Sequence, residues 1–133
     1  MKRIFIAIFF ILLSVSIGVY SLIETERICN KMIFEIEYAT KENIDVTKNS
    51  SHQKRIDFYK TTTELKDLWE KNSDFFYFFF NNDDIKTIET NIEKLPEHAK
   101  NGDLESAYLC LVESLEELEY LKNNSKLTFS NIF

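Results

Sequence analysis

The sequence predicts an all-α protein in which an N-terminal transmembrane helix continues into a small antiparallel bundle of three to four helices. Three observations carry this expectation. The chain has 133 residues but only two glycines and one proline, a scarcity of turn formers that favours long helices with few breaks. The 20 residues from Ile4 to Ile23 carry no charge. Beyond them, apolar residues return every three or four positions, the period of a helix with one buried face. The length allows one compact domain rather than two. The expected organisation is a transmembrane signal-anchor over 1–23, an extracytoplasmic helical domain over 24–122, and a C-terminal tail over 123–133.

The apolar run matches a bilayer in length. As a helix, 20 residues extend about 30 Å, the thickness of a hydrocarbon core. Its polar interruptions are Ser14, Ser16, Tyr20 and Ser21. Serine hydroxyls bond back to helix carbonyls, and a tyrosine suits the interfacial aromatic belt. Glu24, Glu26 and Arg27 end the run abruptly. A cleaved secretory signal is the rival reading. Such signals have shorter apolar cores and a small-residue cleavage site, and Ser16-Ile17-Gly18 is the best candidate here and a poor one. Lys2 and Arg3 precede the run and acids follow it, which predicts a cytoplasmic N-terminus, a single pass of the cell membrane and a domain outside.

The first helix is expected to leave the membrane unbroken and reach about Asn43, with Ile28, Met32, Ile36, Ala39 and Asn43 on one stripe flanked by Cys29 and Ile33. Asp45 to Gln53 reads as a loop. The second helix, from about His52 to Phe80, carries the seam Phe58, Thr62, Leu65, Trp69, Asn72, Phe76 and Phe79, widened by Leu68 and Phe75. It ends in six consecutive aromatics, Phe75, Phe76, Tyr77, Phe78, Phe79 and Phe80. One helix face cannot bury all six, because neighbours point about 100° apart. Asn81-Asn82-Asp83-Asp84 breaks the pattern and caps a third helix, whose inner stripe is Ile85, Ile88, Ile92, Leu95 and Ala99. Pro96 within it is expected to kink or shorten it. Asn101-Gly102 closes that helix, and Asp103 caps a fourth that runs to about Lys122 with Ala107, Leu111, Leu115, Leu118 and Leu121 inward.

Charge narrows the partners. The N-terminal segment is formally +2, whereas the rest holds 14 of the 16 basic residues and all 22 acids, a formal charge of −8. Phosphate backbones and anionic headgroups repel such a domain, so nucleic acid is not an expected partner. Chemistry-bearing residues are sparse. Asp83 and Asp84 with Glu89 or Glu93 offer hard oxygen ligands, but acids at a helix start ordinarily serve its free amides and dipole. Glu113, Glu116 and Glu117 share a face, as paired acid–base carboxylates do, yet they read as a solvated acidic surface. His52 and His98 have no Cys or His at ligand spacing. No Gly-rich phosphate loop, nucleophile elbow or HExxH is present. No catalytic residue, metal or cofactor is expected, and the protein is not expected to be an enzyme. Cys29 and Cys110 are the only thiols, and they read as buried apolar residues in preference to a disulfide.

The order of these features, with Trp69, the junction Phe79-Phe80-Asn81-Asn82-Asp83-Asp84-Ile85-Lys86-Thr87-Ile88-Glu89, the hairpin Asn101-Gly102-Asp103-Leu104-Glu105-Ser106-Ala107 and the terminal Asn131-Ile132-Phe133, resembles the bacterial family catalogued as domain of unknown function 4363. The resemblance spans essentially the whole chain. It implies a membrane-anchored helical protein of unknown activity, and a partner among small envelope membrane proteins. Asn82 and Asp84 stand where many relatives carry His followed by Glu, which tells against a histidine-based site at that junction.

The function expected from these readings is a membrane-anchored interaction or scaffold module that partners another envelope or membrane protein. The aromatic run Phe75 to Phe80 is the candidate partner-binding surface, because exposed apolar patches mark interfaces. Were the chain to turn back toward the bilayer there, the same rings would suit the lipid interface. The alternatives are a homodimeric sensor or structural subunit, associating through Ile28, Met32 and Ile36, and a secreted helical protein.

Overall fold

The structure, a computed structural model, describes residues 1–132, with side-chain detail for 1–127. Four helices account for the described chain: α1 (Lys2–Lys48), α2 (His52–Phe79), α3 (Asn82–Asn101) and α4 (Leu104–Ile132). No strand occurs among the described residues. Each helix packs against its two neighbours around a ring, α1 on α2, α2 on α3, α3 on α4, and α4 back on α1. Connections this short force antiparallel neighbours, so the four form an up-down bundle.

The longest element, α1, is an unbroken helix of 47 residues, about 70 Å from end to end. Its first half contributes nothing to the core: Ile4, Phe5, Phe9, Ile11 and Leu12 are all exposed. This stretch is long and apolar enough to cross a membrane. The Ser14 and Ser16 hydroxyls donate back to the carbonyls of Phe10 and Leu12 at 2.9 and 2.8 Å, so neither needs an outside partner. Burial begins at Thr25 and then follows the expected stripe through Ile28, Cys29, Met32, Ile36, Ala39 and Asn43. The helix outruns its expected end by more than a turn. Val46 stands three residues past Asn43 and is buried, and Thr47 donates to the Asn43 carbonyl at 2.8 Å. The segment expected as a loop from Asp45 therefore shrinks to Asn49–Ser51. Asn43 Nδ2 donates 3.0 Å to the Leu104 carbonyl, a second acceptor bond at the first residue of α4 that satisfies the buried amide of Asn43 and ties the two helices at the end away from the apolar stretch.

The remaining elements follow from caps and stripes. Ser51 accepts the Lys54 amide to start α2, and Asn81 accepts the Asp83 amide to start α3. In α2 the seam residues Phe58, Thr62, Leu65, Trp69 and Phe76 are buried, while Asn72 sits half-buried and donates back to Leu68. All five residues of the α3 stripe are buried. Of the two outcomes expected of Pro96, a kink or a shortened helix, the shortening does not occur, because α3 runs through it to Asn101. A proline removes one donor and crowds one carbonyl, a local cost that five buried side chains on the same helix outweigh. The α3–α4 turn is a Schellman closure. Gly102 takes φ 73° and ψ 16°, its amide reaches Ala99 O, and the Asp103 amide reaches His98 O at 2.9 Å. Asp103 Oδ1 then accepts the Ser106 amide.

The end of α4 also differs from expectation. The segment read as a tail from Asn123 is helical through Ile132. No glycine or proline interrupts it, and Lys126 pairs with Glu26 of α1 at 3.0 Å, so the returning helix stays docked past Leu121. Side chains of the terminal Asn131 and Ile132, and Phe133 altogether, lie outside the described residues.

Two stability predictions follow from this packing. Trp69 is 1% exposed and stacks on Phe76 at 5.5 Å, but its indole N–H has no protein partner. Trp69→Ala should cost about 3–5 kcal/mol in denaturant unfolding of the full chain in detergent micelles, whereas Trp69→Phe, which removes the unpaired donor along with some volume, should cost markedly less. A Cβ at Gly102 would meet nothing within 4 Å. Gly102→Ala should therefore cost only the left-handed backbone term, about 1–2 kcal/mol, and Gly102→Asn should cost less than that.

Candidate interaction surface at the aromatic end

An antiparallel path sends α2 back along α1, so its aromatic C-terminus meets the apolar half of α1 and not the far end of the bundle. The Tyr20 ring of α1 and the Phe75 ring of α2 meet edge to face at 6.4 Å. Phe75 then contacts Phe79 at 4.9 Å, and Phe79 contacts Phe78 at 4.8 Å. A continuous row of rings thus leads from α1 outward. The six aromatics divide as helical geometry demands. Phe76 is fully buried, stacked on Trp69. Phe75, Tyr77, Phe79 and Phe80 are half-buried, and all but Phe79 pack against the core. Phe78 is 79% exposed. Residues 76 and 78 lie about 200° apart around the helix, so burying one turns the other outward. As a surface for any partner, the run offers Phe78 flanked by the edges of Phe75 and Phe79.

On the opposite side of the run, the Tyr77 hydroxyl donates to Glu89 Oε2 of α3. The bond to that carboxylate, helped by partial burial, holds the phenol pKa up to about 12. Glu89 is thereby occupied, which takes it from any group with Asp83 and Asp84. Those two stand in the first turn of α3, where they complement its dipole. Among the described residues no three His, Cys, Asp or Glu side chains gather as a metal would require.

The acids of α4 are spread along its outer side. Glu105, Glu113, Glu116 and Glu119 are exposed and Glu117 is half-buried. Glu113 accepts Asn91 Nδ2 across the α3–α4 seam at 3.0 Å. His52 opens α2, and His98 Nδ1 lies 3.2 Å from Asp103 Oδ2 in the Schellman turn. Hydrogen bonds from Ser106, with a smaller contribution from His98, hold the Asp103 carboxyl below its usual range. Both histidines therefore sit at helix ends on the distal side of the bundle, where His52 shares a shallow groove with Ala99, Lys100, Asn101 and Gly102.

The two cysteines are free and buried. Desolvation pushes the Cys29 thiol up to about 12, eased slightly by Lys122. Lys122 is twelve residues beyond Cys110 on α4, about 18 Å along the axis. Cys110 therefore lies far above the level of Cys29, well outside disulfide reach. Cys110 and Ser114 complete the inner face of α4 beside Ala107, Leu111, Leu118 and Leu121. The leucine count hides them in the sequence, although both fall at helical spacing from Ala107.

Comparison with curated proteins and with solved structures finds no match. A comparison with protein families matches residues 25–132 to the domain of unknown function DUF4363. The match opens at Thr25, the first buried residue of α1, and takes in the whole bundle. It covers most of the chain, and the protein belongs to the DUF4363 family.

Proposed function

We propose that this protein is a membrane-anchored, non-catalytic scaffold: a helical bundle held at the outer face of the cell membrane, where it engages another membrane or envelope protein. The observation that carries the reading is the continuity of α1, whose exposed apolar half and buried core half belong to one helix without a break. A cleaved signal has no need to be the same rigid rod as a core stave, whereas an anchor that sets the height and tilt of its domain does. Lys2 and Arg3 before the span, and the excess of acids after it, support an N-terminus inside and a bundle outside.

A tether of this kind confines the partner search to proteins near the membrane. Besides the aromatic end, apolar side chains stand exposed among charges on the outward sides of α1 (Phe34 and Tyr38), α2 (Ile56 and Tyr59) and α4 (Leu109 and Tyr120). The alternative of a homodimer through Ile28, Met32 and Ile36 is set aside, because all three are core residues of the bundle and Cys29 beside them is fully covered. A homo-oligomer would have to use the same outward faces.

Cysteine mapping in intact cells tests the anchor. Lys100→Cys, at the exposed distal turn, should react with a membrane-impermeant maleimide, whereas Lys2→Cys should react only after permeabilisation. The chain should also stay in the pellet through alkaline carbonate washing. A soluble product beginning near residue 19 would replace the anchor with secretion. A photocrosslinker at Phe34 should trap a discrete membrane-fraction protein, and its failure there and at Leu109 would leave the anchor without a scaffolding role.

A further inference from the structure

We infer that the aromatic end of α2 is a second membrane contact: Phe78, with the exposed edges of Phe75 and Phe79, inserts into the lipid interface beside α1. This rests on the anchored topology proposed above and names what covers the one strongly exposed ring of the run.

The register of α2 on α1 is the first support. The Tyr20–Phe75 contact places Phe75 beside a residue that is itself inside the apolar run. Phe80 lies five residues further along α2, about 7.5 Å closer to the N-terminus of α1. The last turn of α2 therefore descends alongside the apolar stretch instead of stopping above it. The burial pattern of α1 agrees independently. Met1 to Ser14 are all exposed, whereas Val15, Gly18, Ser21 and Leu22 are half-buried. Bundle and span overlap from Val15 to Ile23.

That overlap limits the free span. Met1 to Ser14 extends about 21 Å as a helix, short of the roughly 30 Å of a hydrocarbon core. A spanning α1 must draw the overlapping zone, and whatever packs on it, into the boundary layer of the bilayer. What packs there is aromatic. Tyr20 is 57% exposed and Phe78 is 79% exposed, and both join the row of rings running out from α1. The last turn of α2 holds no charged residue. Aromatic rings are favoured at this depth, and polar side chains are favoured just beyond it. Asn81, Asn82, Asp83 and Asp84 follow within one turn at the membrane-proximal tip of the hairpin, so their amides and carboxylates confine the contact to the shallow interfacial layer, where they keep access to headgroups and water. Phe78 points away from the bundle core, so insertion requires no unfolding. A bilayer is also continuous with the apolar surface of α1, which a separate protein docking on a single ring is not.

Two attachments instead of one would hold the bundle upright, since α1 alone leaves it free to rotate about the span. The test uses the full chain reconstituted in phosphatidylcholine vesicles and reads tryptophan quenching by lipids brominated near the headgroup or near the bilayer centre. In a Trp69→Phe background, Phe78→Trp should lose most of its emission to the shallow bromines and little to the deep ones. Phe9→Trp should be quenched by the deep bromines, and the native Trp69, inside the bundle, by neither. Quenched Phe9→Trp with unquenched Phe78→Trp overturns the inference while the anchor stands, and assigns Phe78 to water or to a protein. If neither is quenched, the anchored topology itself fails. Should Trp69→Phe lose helicity, spin labels at Phe78→Cys and Phe9→Cys in the otherwise native chain, read by collision with oxygen and with a nickel chelate, decide the same question, because Cys29 and Cys110 are buried and stay unlabelled.

Discussion

One helix has to satisfy two environments, and the rest of the structure is arranged around that constraint. From Met1 to Ser14 the side chains of α1 have no protein to bury against, from Val15 to Ile23 only a few are half-covered, and from Thr25 onward every third or fourth one is covered by α2 or α4. Nothing in the helix marks the change. There is no glycine, proline or bend between Tyr20 and Asn30; only the side chains switch, from an all-round apolar surface to a single buried stripe. Glu24 and Arg27 sit at the change and pair with each other at 2.6 Å, which lowers the Glu24 carboxyl through the guanidinium it holds. Glu26 pairs with Lys126 of the returning α4. These exposed pairs add little energy, but they place hydrated charge at the boundary.

Because α1 carries both the exposed apolar segment and one wall of the core, the positions of the other helices follow from it. An up-down bundle with three-residue or shorter connections must return α2 and α4 to the level at which α1 left the apolar segment. The aromatic run and the end of α4 are thus brought beside Tyr20 and Glu26 by topology. Sequence then decides what each presents. The row Tyr20, Phe75, Phe79, Phe78 runs outward next to the apolar half of α1, while Phe76 turns inward to stack on Trp69. The distal end is closed by polar means instead, by Asn43 on the Leu104 carbonyl and by the Gly102 turn. An apolar proximal end and a polar distal end fit a bundle standing on a membrane.

Most of this was readable from residue spacing. The stripes of α1 and α3 and the Gly102–Asp103 turn emerge where periodicity and capping residues agree, because a helix that buries one face leaves no freedom in which residues repeat. The misses occur where local signals are weak against packing. Asp45 to Lys48 look like loop because they are polar, but Val46 buries there and Thr47 bonds back to Asn43. Asn123 onward looks like tail for the same reason, although it lacks any breaker and docks through Lys126. Pro96 suggests a kinked or shortened helix, and with five buried stripe residues the helix is not shortened. For the candidate surface, the sequence indicated that six rings could not share one face. It could not say which ring is left out, because that depends on the rotation of α2 against α1, a tertiary quantity.

The arrangement depends on α1 being one rigid rod through the point where its exposed apolar half gives way to protein core. Spin labels at Ile11 and Lys41, thirty residues apart on exposed positions, measure it directly in the reconstituted full chain. A continuous helix predicts a single narrow distance distribution centred near about 45 Å. A broad distribution, or one displaced to clearly shorter distances, would mean a hinge at the boundary, and with it a domain merely tied to its membrane segment instead of held by it.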